Sequence, residues 1–250
     1  MTEKIDKYKV QAALVRSFFD AFSHGVIESQ MEDRNEKTTP QSVKKLMLEH
    51  YEHIAPAFFD TMFFPLAAMN YKYEDIAALA REAQQRGDDM MALVRTACGD
   101  EAYYNAMVEE YKRNFSMLLA GRYLSNADHL EGYVRKAKEE TEASVDSDRA
   151  IELTVRVVMF AYVRGLRHTG EGVRFDGSAH LRQVHPLRGA TLFRLMLDAM
   201  NILLLDEAVD FADAEAADLA SLFLKVCQTQ HNFTVMTNEM DRTYSELMKE

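Results

Sequence analysis

The stretch SDRAIELTVRVVMFAYVRGLRH, residues 147–168, decides how the chain folds. Ser147 and Asp148 are residues that start helices, since a short polar side chain can accept from the exposed first-turn amides. From there Val155, Val157, Val158, Met159, Tyr162 and Leu166 are apolar on most sides of a 3.6-residue repeat, so the segment predicts a helix buried nearly all round. At about 100° per residue, Arg149, Arg156, Arg164 and Arg167 fall at about 0°, −20°, 60° and 0°, which puts all four on one face. A buried helix with an Arg stripe must aim it at an external anion, at the protein's own carboxylates or at water, because an unpaired buried charge is costly. Arg is the side chain suited to planar, bidentate contact with phosphate or carboxylate.

Outward from this helix the pattern stays helical. Helices are expected over 3–33, 40–54, 57–69, 73–87, 88–99, 100–124, 127–144, 186–208 and 213–248. Gly25 is a possible break in the first, and a kink is expected at Pro65. Thr39 followed by Pro40 is a helix start, Gly87 a C-cap, and Asp100 an N-cap. Only 10 Gly and 4 Pro interrupt 250 residues, so long helices are permitted. The stretch TGEGVRFDGSAH reads as loop, with a short hairpin around Val173–Phe175 as its one strand candidate. The fold class expected is all-α, an antiparallel array of about nine to ten helices.

Composition narrows the function. Hydrophobic residues make up 48% of the chain, enough for a sizeable core. The net charge of −11 disfavours nucleic acid and anionic membranes as partners of the whole surface. Charge is uneven: between Arg149 and Arg194 eight Arg face three acids, giving +5 locally and −16 elsewhere. Cys98 and Cys227 form no CxxC or Cys/His cluster, which argues against a disulfide framework or structural zinc. The charged start MTEKIDKYK is no secretory signal, and no apolar run reaches the roughly 20 residues of a membrane span, so a cytoplasmic protein is expected.

Glu49, His50 and His53 share one helix face and could hold a metal with acids such as Glu109 or Glu110, but a di-iron bundle wants Glu-x-x-His on two helices and none occurs. Arg122 and His129 have a spacing used by some helical ribonucleases, an unspecific pair in an acidic protein. No Ser/His/Asp set or glycine-rich phosphate loop is present, so no catalytic residue, metal or cofactor is assigned.

Six patches resemble the 14-3-3 family in order: LAREAQQRGDDM (79–90), DEAYYNAMVEEYK (100–112), GRYLS (121–125), AYVRGL (161–166), HPLRG (185–189) and HNFTVMT (231–237). The resemblance covers about two thirds of the chain and requires deletions of around sixty residues. It leaves residues 1–70 as an N-terminal helical extension to a domain over 71–250. It implies a cup-shaped helical adaptor, usually a homodimer, that binds phosphoserine or phosphothreonine peptides. Carried over, Lys112 and Arg164 would contact phosphate, with Arg122 and Arg156 nearby, and Asn232 would hold the peptide backbone. Leu118 or Leu119, Gly165, Arg194 and Met236 stand where the family has peptide-contacting Arg, Tyr, Asn and Trp. Two alternatives remain beside the adaptor: a helical metalloenzyme, and a structural or regulatory bundle whose Arg stripe is paired internally.

Overall fold

The computed structural model describes residues 3–31, 40–49, 51–120, 143–167, 190–205 and 219–249. Within them are two three-residue strands and ten helices: β1 (Lys4–Asp6), α1 (Lys7–Met31), α2 (Pro40–Glu49), α3 (Tyr51–Asn70), α4 (Tyr73–Arg86), α5 (Met90–Ala97), α6 (Glu101–Leu119), β2 (Ser144–Asp146), α7 (Ser147–Arg167), α8 (Ala190–Leu204), α9 (Leu219–Cys227) and α10 (Gln230–Leu247). The protein is mostly helical, as expected. The expected helix at 127–144 and the hairpin at 173–175 lie outside the described residues, apart from Ala143 and Ser144.

α1 and α7 form the centre. Each follows directly from a strand, and β1 pairs antiparallel with β2, Ile5 opposite Val145. The strands were not expected, because three residues are too few to show alternation. Around them the contacts are reciprocal: Lys7 N donates to Ala143 O at 3.1 Å, and Ser147 N to Glu3 O at 2.9 Å. Further along, Gly25 lies on Tyr162 and Leu166, while Gly165 lies on Phe22 and Val26. Adding 140 to Ile5, Lys7, Phe22, Gly25 and Val26 gives Val145, Ser147, Tyr162, Gly165 and Leu166. The two strand–helix units are thus related by an approximate twofold axis. With both ends adjacent, α1 and α7 run in the same sense, so the expected antiparallel arrangement does not hold for the central pair. Gly25 does not break α1. It removes the Cβ that would otherwise strike the backbone of α7.

The relation extends outward. α3 and α8 each pack on both central helices, α6 packs on α1, and α10 packs on α7. At a spacing of 129, Cys98 and Cys227 end the short helices α5 and α9, both buried. Next, Gly99 and Gln228 take positive φ (72° and 63°). Then Asp100 and Thr229 cap α6 and α10, accepting from Ala102 N and Asn232 N. The expected single helix over 213–248 is therefore broken at Gln228, a residue whose type does not announce the left-handed conformation. Nor does a helix end before Pro56 as expected: α3 runs from Tyr51 to Asn70 through it. α3 keeps Pro56 and Pro65 inside it because Phe58, Met62 and Leu66 are fully packed around them.

Residues 1–70 supply α1 and α3, which share one buried cluster with Met107, Ile151, Met196 and Met240. No described helix is long and apolar enough to cross a membrane.

Gly→Ala inside a helix ordinarily stabilises by up to about 1 kcal/mol. At Gly25 and Gly165 the sign reverses: each Gly→Ala change lowers the unfolding free energy by about 1–3 kcal/mol, through overpacking, in urea denaturation.

Candidate functional site

Arg149, Arg156 and Arg164 of the stripe on α7 are each paired with carboxylates of the protein itself. Arg149 meets Glu152 at 3.3 Å, donates to Tyr73 Oη at 2.9 Å, and lies 4.5 Å over the Tyr73 ring. Arg156 is the most buried of the group, its side chain 15% exposed. Its guanidinium donates to Glu246 Oε2 at 2.7 Å and Glu239 Oε1 at 3.2 Å, and it sits over Phe64 and Phe160. Arg164 pairs with Asp60 on α3. These are three cations with three separate sets of carboxylates, on α7 itself, on α10 and on α3, rather than a cluster sharing one anion.

The other expected phosphopeptide contacts lie elsewhere. Lys112 is exposed on α6 and pairs with Glu109 at 2.8 Å one turn away. Asn232 is buried, and its side-chain amide donates to Cys227 O at 2.9 Å, closing the α9–α10 turn. Arg122 lies outside the described residues. Arg194 is exposed on α8, whereas Met236 and Gly165 are buried inside the core. Lys112, Arg156, Arg164 and Asn232 each engage a different partner, on α6, α10, α3 and α9 respectively.

The metal alternative finds little to build on. Glu49 lies 3.9 Å from Lys45, Glu52 accepts from Tyr51 Oη, and His50 is outside the described residues. No group of three His, Cys, Asp or Glu that could hold an ion occurs among the described residues.

What composition and spacing missed is a pair of equivalent polar clusters, one in each unit. On α10, Glu239 is 3% exposed and holds Arg156, Arg242 (3.0 Å) and Thr243 Oγ1 (3.1 Å). Burial raises its pKa, and the Arg242 and Arg156 charges draw it back. On α6 the equivalent Glu110 is 6% exposed, accepts from Asn114 Nδ2 at 2.7 Å, and has Arg113 at 4.0 Å. Arg16, the equivalent of Arg156, binds Asp20 at 2.8 Å. The legible signal was Glu-x-x-Arg-x-x-Ser-x-Leu, which occurs at 110–118 and again at 239–247, together with Val15-Arg16 and Val155-Arg156. Beside Glu110 opens a cleft of about 230 Å³ bordered by Tyr8, Ala12, Met107, Glu109 and Arg113.

Comparison with family models, with curated proteins and with solved structures found no match.

Two expectations follow. Removing Arg156 leaves the buried Glu239 with Arg242 and Thr243 as its remaining partners. Arg156→Ala therefore costs about 1–3 kcal/mol of stability in chemical denaturation, beyond the roughly 0–1 kcal/mol of exposed pairs such as Lys112–Glu109. Burial pushes the Cys98 thiol to about 12 and the Cys227 thiol to about 11, so both are protonated at pH 8. Ellman's reagent at pH 8 modifies neither in the folded protein and both after unfolding.

Proposed function

We propose that the chain is a structural or regulatory helical module that acts by contact, with its Arg stripe serving the fold rather than holding a phosphorylated guest. The observation that carries this reading is Arg156, bound by Glu239 and Glu246 and covered by two aromatic rings. A phosphate dianion competing for that guanidinium would displace two carboxylates and leave Glu239 buried beside a second anion, an arrangement that low-dielectric surroundings penalise. Arg164 is half-exposed but faces Asp60. Lys112 stands beside Glu109.

The phosphopeptide adaptor suggested by the family resemblance, whether as monomer or homodimer, parts from this reading at one measurement. Matched phosphoserine and unphosphorylated peptide libraries are titrated by fluorescence polarisation. The module reading expects no phosphate-dependent binding up to high micromolar protein, and expects Arg156→Ala to lower the melting temperature. Phosphate-dependent binding in the micromolar range that is lost in Arg164→Ala, in a variant that stays folded, would establish the adaptor instead.

A further inference from the structure

Neither unit closes its own central helix. α1 is covered by α3 and α6 of its own unit but also by α7 and α8 of the other, and α7 in turn packs against α1 and α3. Val10, Leu14 and Phe18 on α1, and Ile151, Val155 and Tyr162 on α7, are fully buried. The contact that joins the units is reciprocal. Gly25 lies on Tyr162 and Leu166, and their equivalents Phe22 and Val26 lie on Gly165. At the strand end Lys7 N reaches Ala143 O, and Ser147 N reaches Glu3 O. This is the geometry of an isologous interface between two subunits, made here within one chain.

The shared face is selective. Tyr162 Oη on α7 donates to the Glu28 carboxylate on α1. The equivalent of Tyr162 on α1 is Phe22, which has no hydroxyl. On α3, Asp60 pairs with Arg164 of α7, whose equivalent on α1 is His24. Two first units set against each other would therefore lose the Tyr162 donor at Glu28 and the guanidinium at Asp60. The first unit thus fits a second unit and discriminates against its own kind, through groups missing from the wrong partner.

We infer that the face of α1 covered by α7 is a docking surface for the second unit of another copy of this chain, and that the protein self-associates by exchanging units. A second copy supplies the same α7 with the same Tyr162, Arg164 and Gly165, so an exchanged dimer makes every contact between the units twice over. Concentration sets the balance. Within one chain the partner unit is always at hand, which favours the closed monomer in dilute solution. Exchange competes when opened units reclose among many neighbours. Once formed, the exchanged dimer is slow to part, because release opens the core of both copies. The proposal goes beyond the module reading by naming a partner, and it stands apart from it: a chain that never exchanges is still judged as a module by the peptide titration.

The test uses the full chain carrying Lys4→Cys and Asp146→Cys, exposed residues that stand opposite each other across β1 and β2. Equal amounts of ¹⁴N- and ¹⁵N-labelled chain are unfolded together in urea with reductant and refolded by dilution to high micromolar protein. Oxidation follows only after folding, when Cys98 and Cys227 are buried. Native mass spectrometry then shows dimers of mixed label that persist on dilution, and a non-reducing gel shows chain linked to chain through the new cysteines. The dimer share falls as the protein concentration during refolding is lowered. The parent sequence, mixed and refolded in the same way, gives the same mixed-label dimers, so the result does not hang on the cysteine pair. Monomer alone at every concentration, dimers that fall apart on dilution, or dimers whose new cysteines are joined only within each chain overturn the proposal.

Discussion

The close crossing of α1 and α7 at Gly25 and Gly165 is the constraint from which the remaining architecture follows. Two helices whose backbones touch leave no space for side chains between them, so the side chains of both must point outward into covering layers. Val10 through Phe19 on α1 and Ala150 through Leu166 on α7 are buried at almost every position. Helices of that kind cannot be amphipathic rods lying on a core; they are the core. The surrounding helices α3, α6, α8 and α10 are each required to cover part of this pair, and the short β1–β2 ribbon fixes the register at the end away from the glycines.

A central helix covered on all sides has nowhere to send its charged residues, and this explains the form that the buried polar groups take. Arg16 and Arg156 occupy equivalent places on α1 and α7, and each is brought to neutrality inside the protein. Arg16 does so with Asp20 on its own helix, a turn away. Arg156 has Phe160 at the position of Asp20, so its carboxylates come from α10 instead, including Glu246 where the first unit has Met117. The Arg16–Asp20 contact lies within one helix, whereas the Arg156 contacts join two helices. The second solution makes the α7–α10 contact specific in a way that apolar packing alone is not.

Much of the helical skeleton was legible. Gly87 adopts φ 72° and closes α4, Asp89 and Asp100 cap their helices as their residue types suggest, and Ser147 opens α7. Each of these signals is local, a side chain acting within four residues. What was not legible is non-local or too short. Gln228 takes a left-handed conformation because the turn into α10 requires it, with its amide bonded to Leu204 O, and nothing in its own chemistry says so. The partners of Arg156 lie 83 and 90 residues away. The stripe was visible in the sequence, but the carboxylates opposite it were visible only once α10 was placed.

The internal repeat was harder still to read, because its two stretches are offset by different amounts, 140 residues for the α1/α7 pair and 129 for the α5–α6 and α9–α10 pairs. A single shift of the sequence against itself therefore aligns only part of it. This has a bearing on the family resemblance. Two of its patches, AYYNAMV within 100–112 and HNFTVMT at 231–237, fall in register at the 129-residue spacing and occupy equivalent turns of α6 and α10. Both follow an N-cap, both bury Met107 or Met236 at the same point, and both lead to a Glu-x-x-Arg. Likeness between those patches has a physical source inside this chain: the same helix start packed on the same central crossing, made twice. An account of the patches that begins from that repeated packing uses observed contacts. An account that assigns them to two different helices of one adaptor must supply a groove, and of the charges proposed to line it Lys112, Arg156 and Arg164 each lie beside a carboxylate of the protein.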